Sequence, residues 1–393
     1  MRFAHIADCH LGGWRQPELQ ALNLASFKKA IEISIQGNVN FILFTGDLFD
    51  SAYPPIEVLK ETFSEFRKLK EAKIKCYIIA GSHDYSVSGK TFLDVLEKAG
   101  FCETFKFSED ESRGKIILKF NSHEGVSIYG YSGKKSGLEI DDLKKIELEQ
   151  SNNFKILMLH TSIKSAVGSI PMDSISIEEL PDADYYALGH LHLIHEYNKA
   201  DNKYLVYPGP TFPNNFQELE DLGYGSFYIV DVNGYVKLTK KEIKLKEILK
   251  INVEIDNALL ATDKIFQELE KRDLRDKIIL LRVRGVLRQG KTVDINFQEI
   301  ESRVLEKGAF IFLKNTNKLK VEEPELEIKV DDIDKIEDTI ISDFVEKNPS
   351  KFNDLILSLI NSLDLEKQED EKVVIFESRL LSEINKILNL EII

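Results

Sequence analysis

Phe3-Ala4-His5-Ile6-Ala7-Asp8-Cys9-His10 is an apolar run that stops abruptly on an aspartate and a histidine. A short apolar run closed by a polar cluster reads as a buried strand and the turn after it. The same figure recurs four times downstream. Residues 41–45 run into Gly46-Asp47-Leu48-Phe49-Asp50, residues 75–80 into Gly81-Ser82-His83-Asp84, residues 154–159 into His160, and residues 184–188 into Gly189-His190-Leu191-His192. Helical spacings at 18–36 and 56–69 separate the first three runs, and Pro54 and Pro55 stand where the second helix begins, a favoured place for proline. Strands alternating with helices predict an α/β fold, layered as two sheets with helices outside. Five polar clusters at the carboxyl ends of strands predict one ligand-binding edge, as in open α/β proteins.

Further strands are expected at 115–120, 126–131, 203–207, 226–232 and 235–240, the last two joined by the hairpin signal Asn233-Gly234. A helix is expected over 138–150. These elements make a first domain of residues 1–247. A strand-helix-strand-helix-strand pattern then predicts a small α+β domain over 248–316, with strands at 251–255, 277–286 and 310–315 and helices at 258–271 and 296–307. Acidic residues around Pro324 mark 317–331 as a linker, and 332–393 carries helical patterns at 333–345, 352–363 and 374–390.

The formal net charge of −14 argues only superficially against a polyanionic partner. From Asn317 onward there are 20 acidic and 10 basic residues, whereas residues 238–292 hold 14 basic against 9 acidic. A nearly neutral body with a basic segment thus carries an acidic tail, and nucleic acid stays open as a partner. No apolar run approaches the ~18 residues of a membrane span, and Asp8 and His10 interrupt any signal-peptide core. Cys9, Cys76 and Cys102 are too few and scattered for a disulfide framework, so a reducing cytoplasm is expected.

Five of the eight histidines (His10, His83, His160, His190 and His192) lie in the strand-end clusters. One such cluster alone reads more readily as polar caps; five in this order read as a metal site. The i, i+2 pairs Asp8/His10 and His190/His192 would each aim two side chains at one centre if the backbone were extended, leaving Cys9 and Leu191 to packing. Carboxylate oxygen with imidazole nitrogen suits Mn²⁺, Fe²⁺ or Zn²⁺, and the absence of thiolates argues against structural zinc. Two ions ~3.5–4 Å apart could share one carboxylate, hold a phosphate and activate a water, with Asp47 the best candidate bridge.

In this order, D-x-H, GDLFD, GSHD, a lone histidine and GHLH resemble the calcineurin-like metallophosphoesterases. Ala4-His5-Ile6-Ala7-Asp8-Cys9-His10-Leu11-Gly12 and Tyr207-Pro208-Gly209-Pro210 resemble their SbcD-type DNA double-strand-break repair nucleases. The motifs span about residues 1–230. The resemblance implies a two-sheet layered metallophosphoesterase core with a small capping domain and C-terminal helices. It implies two divalent ions, Mn²⁺ above all. Asp8, His10 and His192 would hold the first with Asp47 as bridge; His160, His190 and Ser82 would hold the second. His83 would stabilise the transition state or protonate the leaving 3′ oxygen, with Asp84 orienting it. The resemblance further implies 3′→5′ exonuclease and structure-specific endonuclease action on DNA, and a nucleoid-associated place in the cytoplasm. It implies a homodimer through helices near Val58-Leu59 and residues 92–96, and C-terminal helices docked on an SbcC-type, SMC-like ATPase. One departure stands out: Ser82 occupies a position where this superfamily usually has asparagine, and its hydroxyl is a shorter, weaker ligand.

Other signals are less specific. Residues 285–292 match G-x4-G-K-T, but Val293-Asp294-Ile295 delays the helix a phosphate loop needs, so a solvated basic loop is expected. Arg282, Arg284, Arg288 and Lys291 are candidate phosphate contacts, or a charged exposed strand; Trp14 and Arg15 beside the first motif are candidate substrate contacts, with core packing an equal reading of Trp14. His5 reads as a buried, hydrogen-bonded strand residue, and His123 and His195 as surface residues. Two other readings share the metal motifs: a nucleotide or phosphoprotein phosphatase, and a catalytically weak repair scaffold.

Overall fold

The computed structural model describes residues 1–86, 89, 91–132, 139–168, 172–199, 203–322, 341–342, 344–346, 348, 350, 352–363, 365, 367–368 and 373–388. Residues 323–331 of the expected linker and 333–340 of the first expected C-terminal helix lie outside this set. The chain forms two compact units, Met1–Val321 and Glu322–Ile393.

The first unit opens β1 (Arg2–Ile6), α1 (Pro17–Gln36), β2 (Phe41–Thr45), α2 (Ile56–Glu71), β3 (Lys75–Ile79) and α3 (Leu93–Lys98). It continues β4 (Phe107–Asp110), β5 (Lys115–Leu118), β6 (Asn121–His123), β7 (Val126–Tyr131), α4 (Glu139–Leu143), β8 (Ile146–Leu148) and β9 (Phe154–His160). Then come α5 (Lys164–Val167), β10 (Tyr185–Gly189), β11 (Ile194–Lys199), β12 (Lys203–Pro208), α6 (Phe216–Asp221), β13 (Gly225–Val232) and β14 (Val236–Ile243).

Two mixed sheets result, ordered β14-β13-β1-β2-β3 and β11-β12-β10-β9-β7-β6. Period-2 alternation decides what each face meets. Phe3, Phe41, Leu43, Tyr77 and Ile79 of the first sheet pack against Ile128, Ile156, Met158, Tyr185, Ala187 and Val206 of the second. The alternate residues Ala4, Ile6, Ile42, Phe44 and Ile78 face outward onto Phe27, Ile31 and Phe66 of α1 and α2. The outer face of the second sheet, including Leu157, Leu159 and Leu188, is covered by Ile116, Leu118 and Ile146 from the three-stranded sheet β4-β5-β8. Full burial of each Phe, Leu or Ile contributes roughly 1.5–3 kcal/mol, so these three apolar layers hold the domain together. The α/β class expected from the strand-end pattern is the one observed.

A small lobe completes the unit: β15 (Ile248–Glu254), α7 (Ala261–Glu270), β16 (Ile278–Leu287), α8 (Phe297–Glu306) and β17 (Ile311–Val321), an all-parallel sheet in the order β15-β16-β17. In the second unit, α9 (Ile356–Leu363) and α10 (Val373–Leu388) pack on each other. Among the described residues no helix is long and apolar enough to cross a membrane.

Three local expectations are corrected. Where a helix was expected over 138–150, α4 ends at Leu143 and residues 146–148 pair with β5 as a strand, burying Ile146. The strand β17 runs through residues 317–321, which were expected as linker, because its backbone stays paired with β16 out to Val321. The β13–β14 hairpin turns on three residues rather than two, since Val232 pairs with Val236 and Asn233 N–H donates to the Tyr235 carbonyl at 3.0 Å.

Candidate metal centre

Polar side chains gather where β1, β2, β9 and β10 end at their carboxyl termini. Asp8, His10 and His192 each present a ligand atom within 4.8 Å of the others, and so do Asp8, Asp47 and His160. Asp8, His10, Asp47 and His160 are all buried. The i, i+2 spacing works by a different route from the one expected. The backbone at Asp8 and His10 is left-handed (φ 49° and 43°), not extended, so a tight turn rather than strand alternation brings the pair together. His190 and His192 diverge: His192 joins His10, while the His190 ring, at φ 94°, lies edge-on to His160 with centroids 5.1 Å apart. Ser82 Oγ lies 3.5 Å from Asp47 Oδ2.

The imidazoles are oriented from behind. His160 Nδ1 lies 2.9 Å from the Thr45 carbonyl, an acceptor only, so Nδ1 carries a proton and Nε2 is the atom turned to the cage. His10 Nδ1 meets Asp50 Oδ1 at 3.0 Å, and His192 Nδ1 meets Glu218 Oε1 at 2.9 Å. With both Nδ1 atoms turned to carboxylates, His10 Nε2 and His192 Nε2 face each other at 3.0 Å. His160 Nε2 sits 3.1 Å from Asp47 Oδ2 but makes no hydrogen bond, and buried Asp8 Oδ2 has no hydrogen-bond partner. An unsatisfied buried polar atom costs about 1–3 kcal/mol. Imidazole nitrogens and carboxylate oxygens converging on one small space, with His10, His160 and His192 each backed by an acceptor, fit divalent cations and the outer partners such sites carry.

The electrostatics agree. Burial alone would depress His160 and His192, but the Asp47 charge raises His160 to about 10, and the Glu218 hydrogen bond raises His192 to about 9. Burial pushes Asp8 up; burial also opposes ionisation of Asp47, but the charges of His160 and His10 hold it well below the usual carboxylate range. His190 is lowered to about 4 by burial and then by the His160 charge. The cage draws positive charge wherever its geometry lets it.

Gly46 and Gly189 make room for this. A Cβ on Gly46 (φ +90°) would lie 2.1 Å from His160 Nδ1, and one on Gly189 would lie 2.0 Å from the Thr45 carbonyl oxygen.

Asp84 does not touch the His83 ring. Its buried carboxylate accepts N–H bonds from Gly81 (2.9 Å), Phe49 (3.1 Å) and Leu48 (3.3 Å), pinning the loop that carries Asp47. Burial and the Asp47 charge raise it to about 7. His83 is oriented instead by the Asp50 carbonyl, which accepts from its Nδ1 at 2.8 Å, and its side chain is 47% exposed. Among the substrate candidates, Trp14 is core: buried, with Nε1 donating to the Pro213 carbonyl at 2.9 Å. Arg282 is buried too, its guanidinium taken up by Glu220 and Gln217. Arg15 and Arg288 are exposed; Arg284 is more than half exposed beside Glu254, 3.6 Å away. The stretch 285–292 ends β16 and turns at Gly290, followed by a single 3-10 turn instead of a helix. His5 is buried between Tyr185 and Thr45 as expected, whereas His123 is half-buried, bonded to the Tyr77 hydroxyl and packed on Phe41.

Sequence reasoning assigned no role to Asp50, Thr45, Asn214 or Glu218. Only Glu218 left a usable signal, the Asn215-x-x-Glu218 capping pattern of α6, in which Asn215 Oδ1 accepts from Glu218 N–H.

A two-sheet α/β core that gathers histidines and aspartates at one rim is the architecture of a metal-dependent phosphoesterase. Residues 1–193 match the calcineurin-like phosphoesterase family, and the chain belongs to that family, whose members use divalent metal ions. It is 32% identical over 273 residues to the DNA double-strand break repair protein Mre11 of Methanocaldococcus jannaschii, covering 65% of this chain and 70% of that one. It is 26% identical over 308 residues to the protein of the same name from Archaeoglobus fulgidus, covering 72% and 68%. A Bacillus subtilis protein described as the uncharacterized metallophosphoesterase YhaO is 29% identical over 244 residues, covering 59% and 57%.

Proposed function

We propose that this chain is a two-metal, Mn²⁺-dependent DNA nuclease of double-strand-break repair, acting as a 3′→5′ exonuclease and structure-specific endonuclease. What carries the reading is the enclosed cage of Asp8, His10, Asp47, His160 and His192, together with relatives named for DNA break repair. Asp8, His10 and His192 would hold one ion and His160, His190 and Ser82 the other, with Asp47 between them. When bound, two such ions supply Lewis-acid stabilisation of the phosphodiester and an activated water for in-line attack. His83, turned outward with Nδ1 tied to the Asp50 carbonyl, keeps Nε2 for the leaving 3′ oxygen and delivers its proton. Asp84 fixes the loop rather than the imidazole. Arg15, Arg284, Arg288 and Lys291 remain as phosphate contacts that position DNA without reading sequence; Trp14 and Arg282 do not.

The exposed Leu357, Ile360, Leu363, Ile375 and Leu381 on α9 and α10 supply an apolar surface for an SMC-like ATPase of the SbcC type. Exposed Tyr53, Ile56 and Val95, on and beside α2 and α3, suit a homodimer contact. The site of action would be chromosomal DNA in the cytoplasm.

The test is digestion of labelled duplex with blunt or recessed ends in Mn²⁺, with His83→Leu as control. Digestion by the wild type alone supports the nuclease. Cleavage of only small phosphoesters makes it a phosphatase, and silence on both makes it a scaffold. Ser82→Asn is expected to lower the Mn²⁺ concentration needed for half-maximal activity; an identical metal dependence would remove Ser82 from the second site.

A further inference from the structure

The carboxylate that orients His192 sits on a helix gripped by the small lobe. Glu218, on α6, accepts from His192 Nδ1 with Oε1 and from Asn214 N–H with Oε2 at 2.7 Å. Asn214 Nδ2 in turn donates, at 3.2 Å, to Asp50 Oδ1, the oxygen that meets His10 Nδ1. One short element therefore reaches two imidazoles of the cage, His192 directly and His10 through Asn214 and Asp50.

At six residues α6 is far too short to hold its own shape in water, so its position comes from tertiary contacts. Leu219 is buried in an apolar cluster that joins Trp14 and Phe212 to Ile278, Leu280 and Ile311 of the small lobe. The other hold is polar. Arg282, on the central strand β16, donates from Nε to Glu220 Oε1 at 2.9 Å and from Nη2 to Gln217 Oε1 at 2.7 Å, and its guanidinium lies 5.2 Å from the centre of the Phe216 ring. Three of the six residues of α6 thus close on one arginine. A buried ion pair adds little net stability, but breaking it leaves a stranded charge, so its geometry is strongly enforced.

We propose that Arg282 is a positioning residue for the metal centre: through α6 and Glu218, the seating of the small lobe sets the orientation of His192 and His10. This rests on the metal-centre reading above. By linkage, a substrate or partner that shifts the lobe changes metal affinity, and metal binding changes the seating of the lobe by the same factor.

The test uses the full chain, with Mn²⁺ binding followed by isothermal titration calorimetry. Hydrolysis of bis(p-nitrophenyl) phosphate, a substrate too small to need the lobe for binding, is measured in parallel. Arg282→Met is expected to weaken Mn²⁺ binding about tenfold, the lower end of what losing an outer partner of a ligand costs. Excess Mn²⁺ is expected to restore turnover. The exchanged pair Arg282→Glu with Glu220→Arg is expected to recover most of the affinity, which general destabilisation would not allow. Arg303→Ala, which removes the exposed Arg303–Glu270 pair of the same lobe, is expected to leave Mn²⁺ binding unchanged. Should Arg282→Met fail to fold by circular dichroism, Glu220→Gln carries the test, with a smaller shift in the same direction. Wild-type affinity in both variants overturns the coupling. A wild-type chain that takes up no Mn²⁺ overturns the metal-centre reading itself, and the coupling with it.

Discussion

At the carboxyl rim of the paired sheets, four candidate ligands carry left-handed backbone: Asp8, His10, Asp47 and His190, with φ of 49°, 43°, 48° and 94°. In the small lobe positive φ falls on Gly285 within β16 and on Gly290 and Gly308, and among its described residues Asp276 is the one non-glycine residue with positive φ. The contrast in buried polarity is as sharp. Asp8, His10, Asp47, Asp84 and His160 are buried at the rim, while Arg282 is the one buried charged or polar residue described in the lobe. A non-glycine residue in a sparsely populated backbone region costs roughly 1–3 kcal/mol, and each buried charge adds desolvation. The rim concentrates strain and desolvation where a cation would compensate them. The lobe and the sheet interior supply the stability that tolerates it.

The largest effect expected from separating these roles is on chemistry alone. His83 is half exposed, with its ring edge-on to His10 at 4.7 Å, so His83→Leu, which keeps an apolar side chain against that ring, should shift the melting temperature little and leave Mn²⁺ uptake as it is while lowering kcat about 10²–10⁴-fold, the usual worth of a positioned general acid. A parallel fall in stability would show that His83 is part of the frame. The converse substitution is Ile265→Ala in α7, at a fully buried side chain of the lobe's core. It should cost about 2–5 kcal/mol in urea unfolding, with the same number of Mn²⁺ ions bound by the folded chain. Loss of a bound ion there would break the division of labour. Next comes Asp50→Ala, which removes the carboxylate behind His10 but keeps the backbone carbonyl that holds His83. Mn²⁺ affinity or activity should fall about 10–100-fold, with the Mn²⁺ requirement carrying the change. An unchanged requirement would mean that His10 is oriented without it.

What the sequence disclosed follows the same division. β1, β2, β3, β9 and β10 were legible because each is an apolar run stopped by a polar cluster, and Asp8, His10, Asp47, His160 and His192 because aspartate and histidine at strand ends are unusual residues in a telling place. Elements of three to six residues, such as β8, α4 and α6, leave almost no periodic trace, since tertiary packing and not local propensity holds them. The partners behind the imidazoles were hidden for a different reason. Thr45 acts on His160, and Asp50 on His83, through backbone carbonyls, which every residue has; the Asp50 carboxylate meets His10 across 40 residues of chain, and Glu218 meets His192 only because α6 folds back across 26. Arg282 misled, and Trp14 stayed open between substrate contact and core, because exposure, not residue type, separates a phosphate contact from a buried brace.

The smallest expected effect probes the layer just beneath the rim. His5 is fully buried, with Nδ1 3.0 Å from the Tyr185 hydroxyl and Nε2 3.1 Å from Thr45 Oγ1, so it bridges the two sheets as a neutral ring. Burial drives its pKa down to about 3, against ~6.5 in an unfolded chain. Between those values the unfolded state binds a proton that the folded state refuses. The His5 contribution to stability is therefore complete above pH ~6.5 and shrinks as pH falls toward 3, by about 1.4 kcal/mol at pH 5.5. His5→Gln keeps polar atoms that can reach both neighbours but cannot titrate. Its urea midpoint should lie below wild type at pH 7.5, yet fall less than wild type between pH 7.5 and 5.5. An equal fall in both proteins would mean that the ring is protonated in the folded state, and that the layer between the sheets is as cation-tolerant as the rim above it.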